Sequence, residues 1–159
     1  MKFIETILKD AYLIEPELHH DERGFFARTW CQKAFTQWEL NPNLVQCNIS
    51  FNKKQGTLRG LHYQTAPHEE VKLIRCTTGS VYDVIVDIRP NSPTFKHWFG
   101  VELSADNRTM LYVPAGFAHG FQTLMDNVEV FYQMSSFYEP ASACGIRWDS
   151  PLFNIQWPL

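Results

Sequence analysis

The sequence predicts an all-β protein, an antiparallel sandwich or barrel, on three observations. Ten short runs are rich in β-branched and aromatic residues. Gly, Pro, Asn and Asp punctuate them at short, fairly regular spacing, and only one stretch has a helical period. Aromatic residues make up 14% of the chain, 12 of them Phe and 5 Trp, which suits a sandwich interior or stacking surfaces. The 159 residues fit one domain spanning 1–159 with a substantial core, without repeat, low-complexity segment or linker.

In chain order, Ala11–Glu15 is an apolar run closed by Pro16, and Gly24–Trp30 opens on a glycine after three charged residues. Gln32–Leu40 is the helical stretch, with Ala34, Phe35 and Trp38 on one face. Leu44–Phe51 follows Asn41-Pro42-Asn43, and Leu58–Tyr63 follows Gly56. Val71–Thr77 and Val81–Ile88 flank Gly79, while Trp98–Leu103 precedes Asp106-Asn107. Met110–Val113 ends at Pro114. Phe117–Leu124 starts after Gly116, and Val128–Phe137 follows Asp126-Asn127.

Alternation gives the side chains directions. In Val81–Ile88, Tyr82, Val84, Val86 and Ile88 share one face; Asp83, Ile85 and Asp87 share the other, which must meet solvent or a polar cavity. Lys72 falls on the face of Ile74 and Cys76, where a lysine is more often a snorkelling edge residue than a catalytic one. Strict alternation puts Arg59 and His62 on opposite faces. Both reach one pocket only if a bulge near Gly60 resets the phase.

The net charge of −3 offers no basic footprint for nucleic acid, so an anionic ligand needs individually placed arginines. The cysteines at 31, 47, 76 and 144 form no CxxC and no zinc-type cluster, consistent with free thiols in a reducing compartment. Glu5, Lys9 and Asp10 leave no signal-peptide core, and no apolar run reaches the roughly 20 residues of a membrane span. A cytoplasmic protein with no membrane partner is expected.

Three chemistries are in view. The first is a metal. Pro114-x-Gly116-x-x-His119 before an apolar strand is similar to the second half of a cupin metal signature, but the first half reads His62-Tyr63-Gln64 and lacks its second histidine. Glu69 and Glu70 lie nearby in a Pro-containing loop. A catalytic metal takes about three protein ligands, and two are well placed, so no metal is expected. The second is an anion site, for which Arg23 and Arg59 offer guanidinium groups; each alone also reads as a surface ion pair, as Arg75 and Arg89 do. The third is proton abstraction next to a ketone. That needs a base, a cation for the enolate oxygen and an acid on the opposite side, roles that His62, Lys72 and Tyr132 would fill. Tyr132 alone also reads as aromatic packing.

Several segments together resemble the dTDP-4-dehydrorhamnose 3,5-epimerase family over nearly the whole length. They are Asp21-Glu22-Arg23-Gly24-Phe25-Phe26, Arg59-Gly60-Leu61-His62-Tyr63-Gln64, Lys72-Leu73-Ile74-Arg75-Cys76 and Tyr82 through Arg89. Ser92 through Phe95, Leu103 through Asn107, Pro114 through Phe121 and Ile155-Gln156-Trp157-Pro158 continue the match. The resemblance implies a cupin-like jelly roll, a homodimer and cofactor-free 3,5- or 3-epimerisation of a nucleotide-diphosphate 4-keto-6-deoxyhexose. It implies His62 as base, Tyr132 as acid and Lys72 as the enolate-stabilising cation, with His119 lining the same pocket. Arg59 would contact pyrophosphate or sugar, and Arg23 the nucleotide, reaching into a partner's site. Gln46, Asn48 and Tyr138 match substrate-lining positions.

The pattern also departs from the family. Its members usually continue past Trp-Pro into a tail whose aspartate orients the catalytic histidine. This sequence ends at Leu159, which leaves Asp83 as the expected substitute if its strand face points into the barrel. Arg28 replaces an acidic nucleotide contact and His19 an aromatic, so dTDP, CDP and GDP sugars all stay open. Two other readings stand: a metal-dependent cupin isomerase or oxygenase, and a non-catalytic nucleotide-sugar-binding relative.

Overall fold

Alternating side chains build two antiparallel sheets that face one another across a shared interior. In the computed structural model, which describes residues 1–159, the elements are β1 (Lys2–Glu5), β2 (Tyr12–Glu15), β3 (Leu18–Asp21), β4 (Gly24–Ala27), α1 (Gln32–Gln37), β5 (Gln46–Asn52) and β6 (Leu58–Gln64). They continue with β7 (Lys72–Thr78), β8 (Ser80–Asp87), β9 (Trp98–Ser104), β10 (Met110–Val113), β11 (Phe117–Thr123), β12 (Val128–Met134) and β13 (Ala143–Gly145). The first sheet runs β1-β2-β10-β7-β12-β5, the second β13-β6-β11-β8-β9, and β3-β4 form a separate hairpin. Strands distant in sequence lie side by side, as β2 does with β10 and β6 with β11. This is the winding of a cupin-like jelly roll. No helix is long and apolar enough to cross a membrane.

Between the sheets, Ile74, Val81, Ile85, Leu111, Phe117, Phe121 and Val130 form the central core. The outer face of the first sheet is covered by α1 and the turn after it, where Phe35 and Leu40 pack with Phe3, Ile14 and Tyr112 of the sheet. The outer face of the second is covered by the C-terminal segment, where Phe153, Ile155 and Trp157 pack on Leu61, Val84, Val86 and Ala118. Both faces of β8 are therefore buried, and Asp83 and Asp87 face the interior with no exposure at all.

Some boundaries differ from the sequence reading. The run from Gly24 keeps strand geometry only to Ala27, and that from Val128 only to Met134. The helix stops at Gln37, because Trp38 leaves the helical region and Glu39 adopts a φ of 58°. Three strands had no legible pattern. β3 is Leu-His-His-Asp and mostly exposed, while β1 and β13 are edge strands of four and three residues.

The condition set on Arg59 and His62, a bulge near Gly60, is met. His119 pairs with His62 and Phe121 with Arg59, so two residues between Arg59 and His62 oppose one on β11. The strands touch there: a Cβ on Gly60 would lie 2.5 Å from the Cα of Gly120 and 2.9 Å from the His119 carbonyl, at a φ of 127°. The extra residue turns Arg59 and His62 to the same interior while Leu61 enters the outer core.

At the far end of β8, Asp87 gathers a loop. It accepts hydrogen bonds from the Arg89 amide and guanidinium, from Ser92 Oγ and from Thr94 Oγ1 at 2.7 Å. Arg89 continues to Asp10 at 2.9 Å and lies over the Phe117 ring, so it is an organising residue rather than the surface charge its sequence context suggested. Burial would raise the Asp87 pKa, but the bonds from Arg89, Ser92 and Thr94 outweigh it and hold the carboxyl at about 2.

Gly60→Ala is expected to cost about 3 kcal/mol, from strain at positive φ plus overpacking against Gly120. Gly56→Ala, also at positive φ but with open space around it, should cost about 1 kcal/mol. Equal thermal destabilisation of the two variants would contradict the close-approach account. Asp87→Asn should lower stability by about 3 kcal/mol near pH 7, a Tm drop of roughly 6–12 °C. The depressed folded-state pKa stabilises above the ordinary carboxylate range, and that contribution disappears as the pH falls toward 2. The Tm gap between wild type and variant should therefore narrow in melts taken from pH 5 downward.

Candidate active site

At the open end of the interior the two sheets enclose a cavity of about 470 Å³, and each sheet supplies different chemistry to it. The second sheet contributes Arg59 and His62 from β6 and His119 from β11; the first contributes Gln46 and Asn48 from β5, Lys72 from β7 and Tyr132 from β12. Tyr138 joins them from the loop after β12. His62 and Tyr132 thus project from opposing walls of one chamber. Alternation explains the first sheet: Gln46, Asn48 and Ser50 point inward, while Cys47, Ile49 and Phe51 point out.

Lys72 is no snorkelling edge residue. It is buried, and its ammonium lies 2.7 Å from Glu70 Oε1. Glu70 Oε2 is buried without a hydrogen-bond partner. Asp83 does point into the barrel, but it bonds His119 rather than His62, with both carboxylate oxygens 2.9 Å from Nε2. The expectation that Asp83 orients the candidate base is therefore corrected: it orients the neighbouring histidine. Arg59 is steadied through Nε, which donates to Asn52 Oδ1 at 2.6 Å.

Burial lowers the His62 pKa from its ordinary value, and electrostatic repulsion from Lys72, His119 and Arg59 lowers it further. Burial raises that of Tyr132; Arg59 opposes the rise and Glu70 adds to it. Near neutral pH the histidine is therefore free to accept a proton and the phenol retains one to give.

The rim is tied by Gln64. Its Nε2 donates to the carbonyls of His68 and Phe137, and its Oε1 accepts from the Glu139 amide at 2.7 Å. Tyr138 N donates to Gln46 Oε1. Arg23 does not reach this chamber. It sits exposed on the β3–β4 hairpin, bound to Asp21 at 2.7 Å. His19 and Arg28 share a separate recess of about 220 Å³ with Phe26.

Sequence reasoning missed Asn52, Gln64 and the pairing of Glu70 with Lys72. Spacing held one usable signal: Glu70 stands two residues before an inward lysine, the distance that places two side chains on one face of an extended chain. No three His, Cys, Asp or Glu side chains converge as a metal-holding group. The nearest donors are engaged, Asp83 by His119 and Glu70 by Lys72, and the Lys72 ammonium shares their cavity.

Comparison with known proteins gives this geometry a family. A family model described as dTDP-4-dehydrorhamnose 3,5-epimerase matches residues 5–159. The dTDP-4-dehydrorhamnose 3,5-epimerase of Escherichia coli K12 is 46% identical, over 99% of this chain and 85% of the relative. The Bacillus anthracis enzyme of the same name, crystallised with TDP and pyrophosphate, superposes with a TM-score of 0.96 at 44% identity, covering 99% of this chain and 90% of that one. A Legionella pneumophila dTDP-6-deoxy-D-glucose-3,5-epimerase, in complex with dTDP-4-keto-L-rhamnose, gives 0.93 at 39% identity, covering 99% and 84%. Built on the same fold across its whole described length, this chain belongs to the dTDP-4-dehydrorhamnose 3,5-epimerase family of isomerases.

Proposed function

We propose that the chain epimerises a dTDP-linked 4-keto-6-deoxyhexose at carbons 3 and 5, without a cofactor. The observation that carries this reading is the opposition of His62 and Tyr132 across one cavity that also holds the Lys72 ammonium. Both carbons flank the carbon-4 ketone, so their hydrogens are acidic for the same reason. Neutral His62 takes the proton, and the electron pair moves onto the carbonyl oxygen as an enolate. Lys72 stabilises that oxygen from the cavity wall. Tyr132 returns a proton from the opposite wall, which inverts the centre, and solvent resets both groups.

Arg59, held by Asn52, is placed to grip a diphosphate or sugar oxygen. Gln46, Asn48, His119 and Tyr138 line the substrate's path. The ligands of the Bacillus anthracis and Legionella pneumophila relatives favour dTDP over the CDP and GDP alternatives that His19 and Arg28 leave open. A homodimer is part of the proposal: Ile49 and Phe51 stand 63% and 49% exposed on the outward face of edge strand β5, next to the Arg75–Phe131 stack. Such a dimer would let the exposed Arg23 hairpin serve the partner's cavity. Four free thiols suit a reducing, cytoplasmic setting.

Turnover of a dTDP-4-keto-6-deoxyhexose in deuterated water tests the reading. Wild type should incorporate deuterium at carbons 3 and 5. His62→Asn should lose about 100- to 10,000-fold in exchange while staying folded, and Lys72→Ala should suppress exchange as well. Tyr132→Phe should still exchange but return substrate instead of epimer. Tight binding with no exchange in wild type would instead favour the non-catalytic reading.

The pH profile offers an independent check. His62 acts in its neutral form, and burial with Lys72 nearby lowers its pKa, so the acidic limb of kcat/KM should lie below pH 6.5. A limb at or above 6.5 that persists in His62→Asn would assign the titration to another group.

A further inference from the structure

The chamber contains one charged side chain that the proposed chemistry does not use. Glu70 and Lys72 each retain only 8% exposure, and their charged ends meet at 2.7 Å. The second carboxylate oxygen of Glu70 is buried with no partner. Burying a carboxylate that way is costly, and an apolar pair in its place is often at least as stable, so stability is a weak account of why it is there.

The surroundings of Lys72 supply a better one. Facing it across the cavity are Arg59 and His62 from β6 and His119 from β11, while the Tyr132 phenol stands beside it on the neighbouring strand β12. Asp83, the carboxylate beneath His119, has both oxygens committed to that ring. Glu70 is thus the one carboxylate bound to the lysine. A buried lysine without a counter-charge gives up its proton readily, and a neutral amine stabilises an enolate poorly. Glu70 is itself anchored: Val71 N donates to Ser135 Oγ at 2.8 Å, and Gln64 holds the His68 carbonyl at 2.7 Å on the loop before it.

We propose that Glu70 is a positioning residue that acts through Lys72, fixing its ammonium on the cavity wall and keeping it charged through the catalytic cycle. The inference rests on the role given to Lys72 above.

The test compares Glu70→Gln, Glu70→Asp, Lys72→Ala and the Glu70→Gln/Lys72→Ala double variant with wild type. It measures kcat, KM and solvent deuterium uptake from pH 5 to 10, with folding followed by circular dichroism. Glu70→Gln keeps the shape and removes the charge. It should lower kcat at pH 8 about 10- to 100-fold with KM within about 3-fold, and move the alkaline limb of kcat down by about one to two pH units. Glu70→Asp, which keeps the charge on a shorter arm, should lower kcat but leave the limb in place. In the Lys72→Ala background, Glu70→Gln should change nothing further, because the residue it serves is gone.

An alkaline limb at its wild-type position in folded Glu70→Gln would overturn the proposal. So would a double variant whose losses multiply. Should Glu70→Gln fail to fold, Glu70→Asp decides, and wild-type kcat there overturns the idea. Unimpaired exchange in Lys72→Ala would sink the reading of the site together with this inference. Impaired exchange in Lys72→Ala, with an unmoved limb in Glu70→Gln, would remove only the role of Glu70.

Discussion

The contact between Gly60 and Gly120 is the constraint on which the rest of the site depends. Without side chains at either position, β6 and β11 close to a separation that no Cβ would fit, and one extra residue is absorbed on β6. That residue sets the phase of everything downstream. Arg59 and His62 turn inward, whereas Leu61 turns outward to pack on Val84, Val86, Ala118 and Phe153. A regular ladder would send one of the two polar residues into the apolar layer under the C-terminal segment, because a shift of one residue exchanges the faces of a strand. The same contact brings His119, and with it Asp83, beside His62.

Within this frame, charge is distributed very unevenly. The chain as a whole carries a formal −3, yet the chamber gathers Arg59, Lys72, His62 and His119 against two carboxylates, each already bound to a basic group. Arg59 is a cation that no carboxylate engages, which suits a diphosphate ligand, and the Lys72 ammonium suits a developing oxyanion. The same crowding of positive charge helps keep the His62 imidazole neutral. One set of cations therefore serves both ligand attraction and the base's readiness.

Much of this was legible from the amino acids, and where it was not there is a physical reason. The sheet strands announced themselves because a two-residue period beside β-branched and aromatic side chains has few other meanings. The bulge could be posed as a condition on Arg59 and His62, since only an irregularity lets both face one cavity. β3 escaped because it pairs outside the sandwich and has no buried face to imprint on its sequence. The partners of Asp83, Arg59 and Gln64 escaped because hydrogen bonds between residues 36, 7 and up to 75 positions apart leave no periodic trace. Lys72 was ambiguous for a different reason: burial decides between a snorkelling and an interior lysine, and burial belongs to the fold.

Gln64 has a mechanical consequence. A single amide side chain holds the loop before β7 through His68 and the loop after β12 through Phe137 and Glu139, so two segments far apart in the chain are joined beside the chamber. Displacing the Gln64 side chain would release both loops at once, so their positions at the mouth are coupled through one residue.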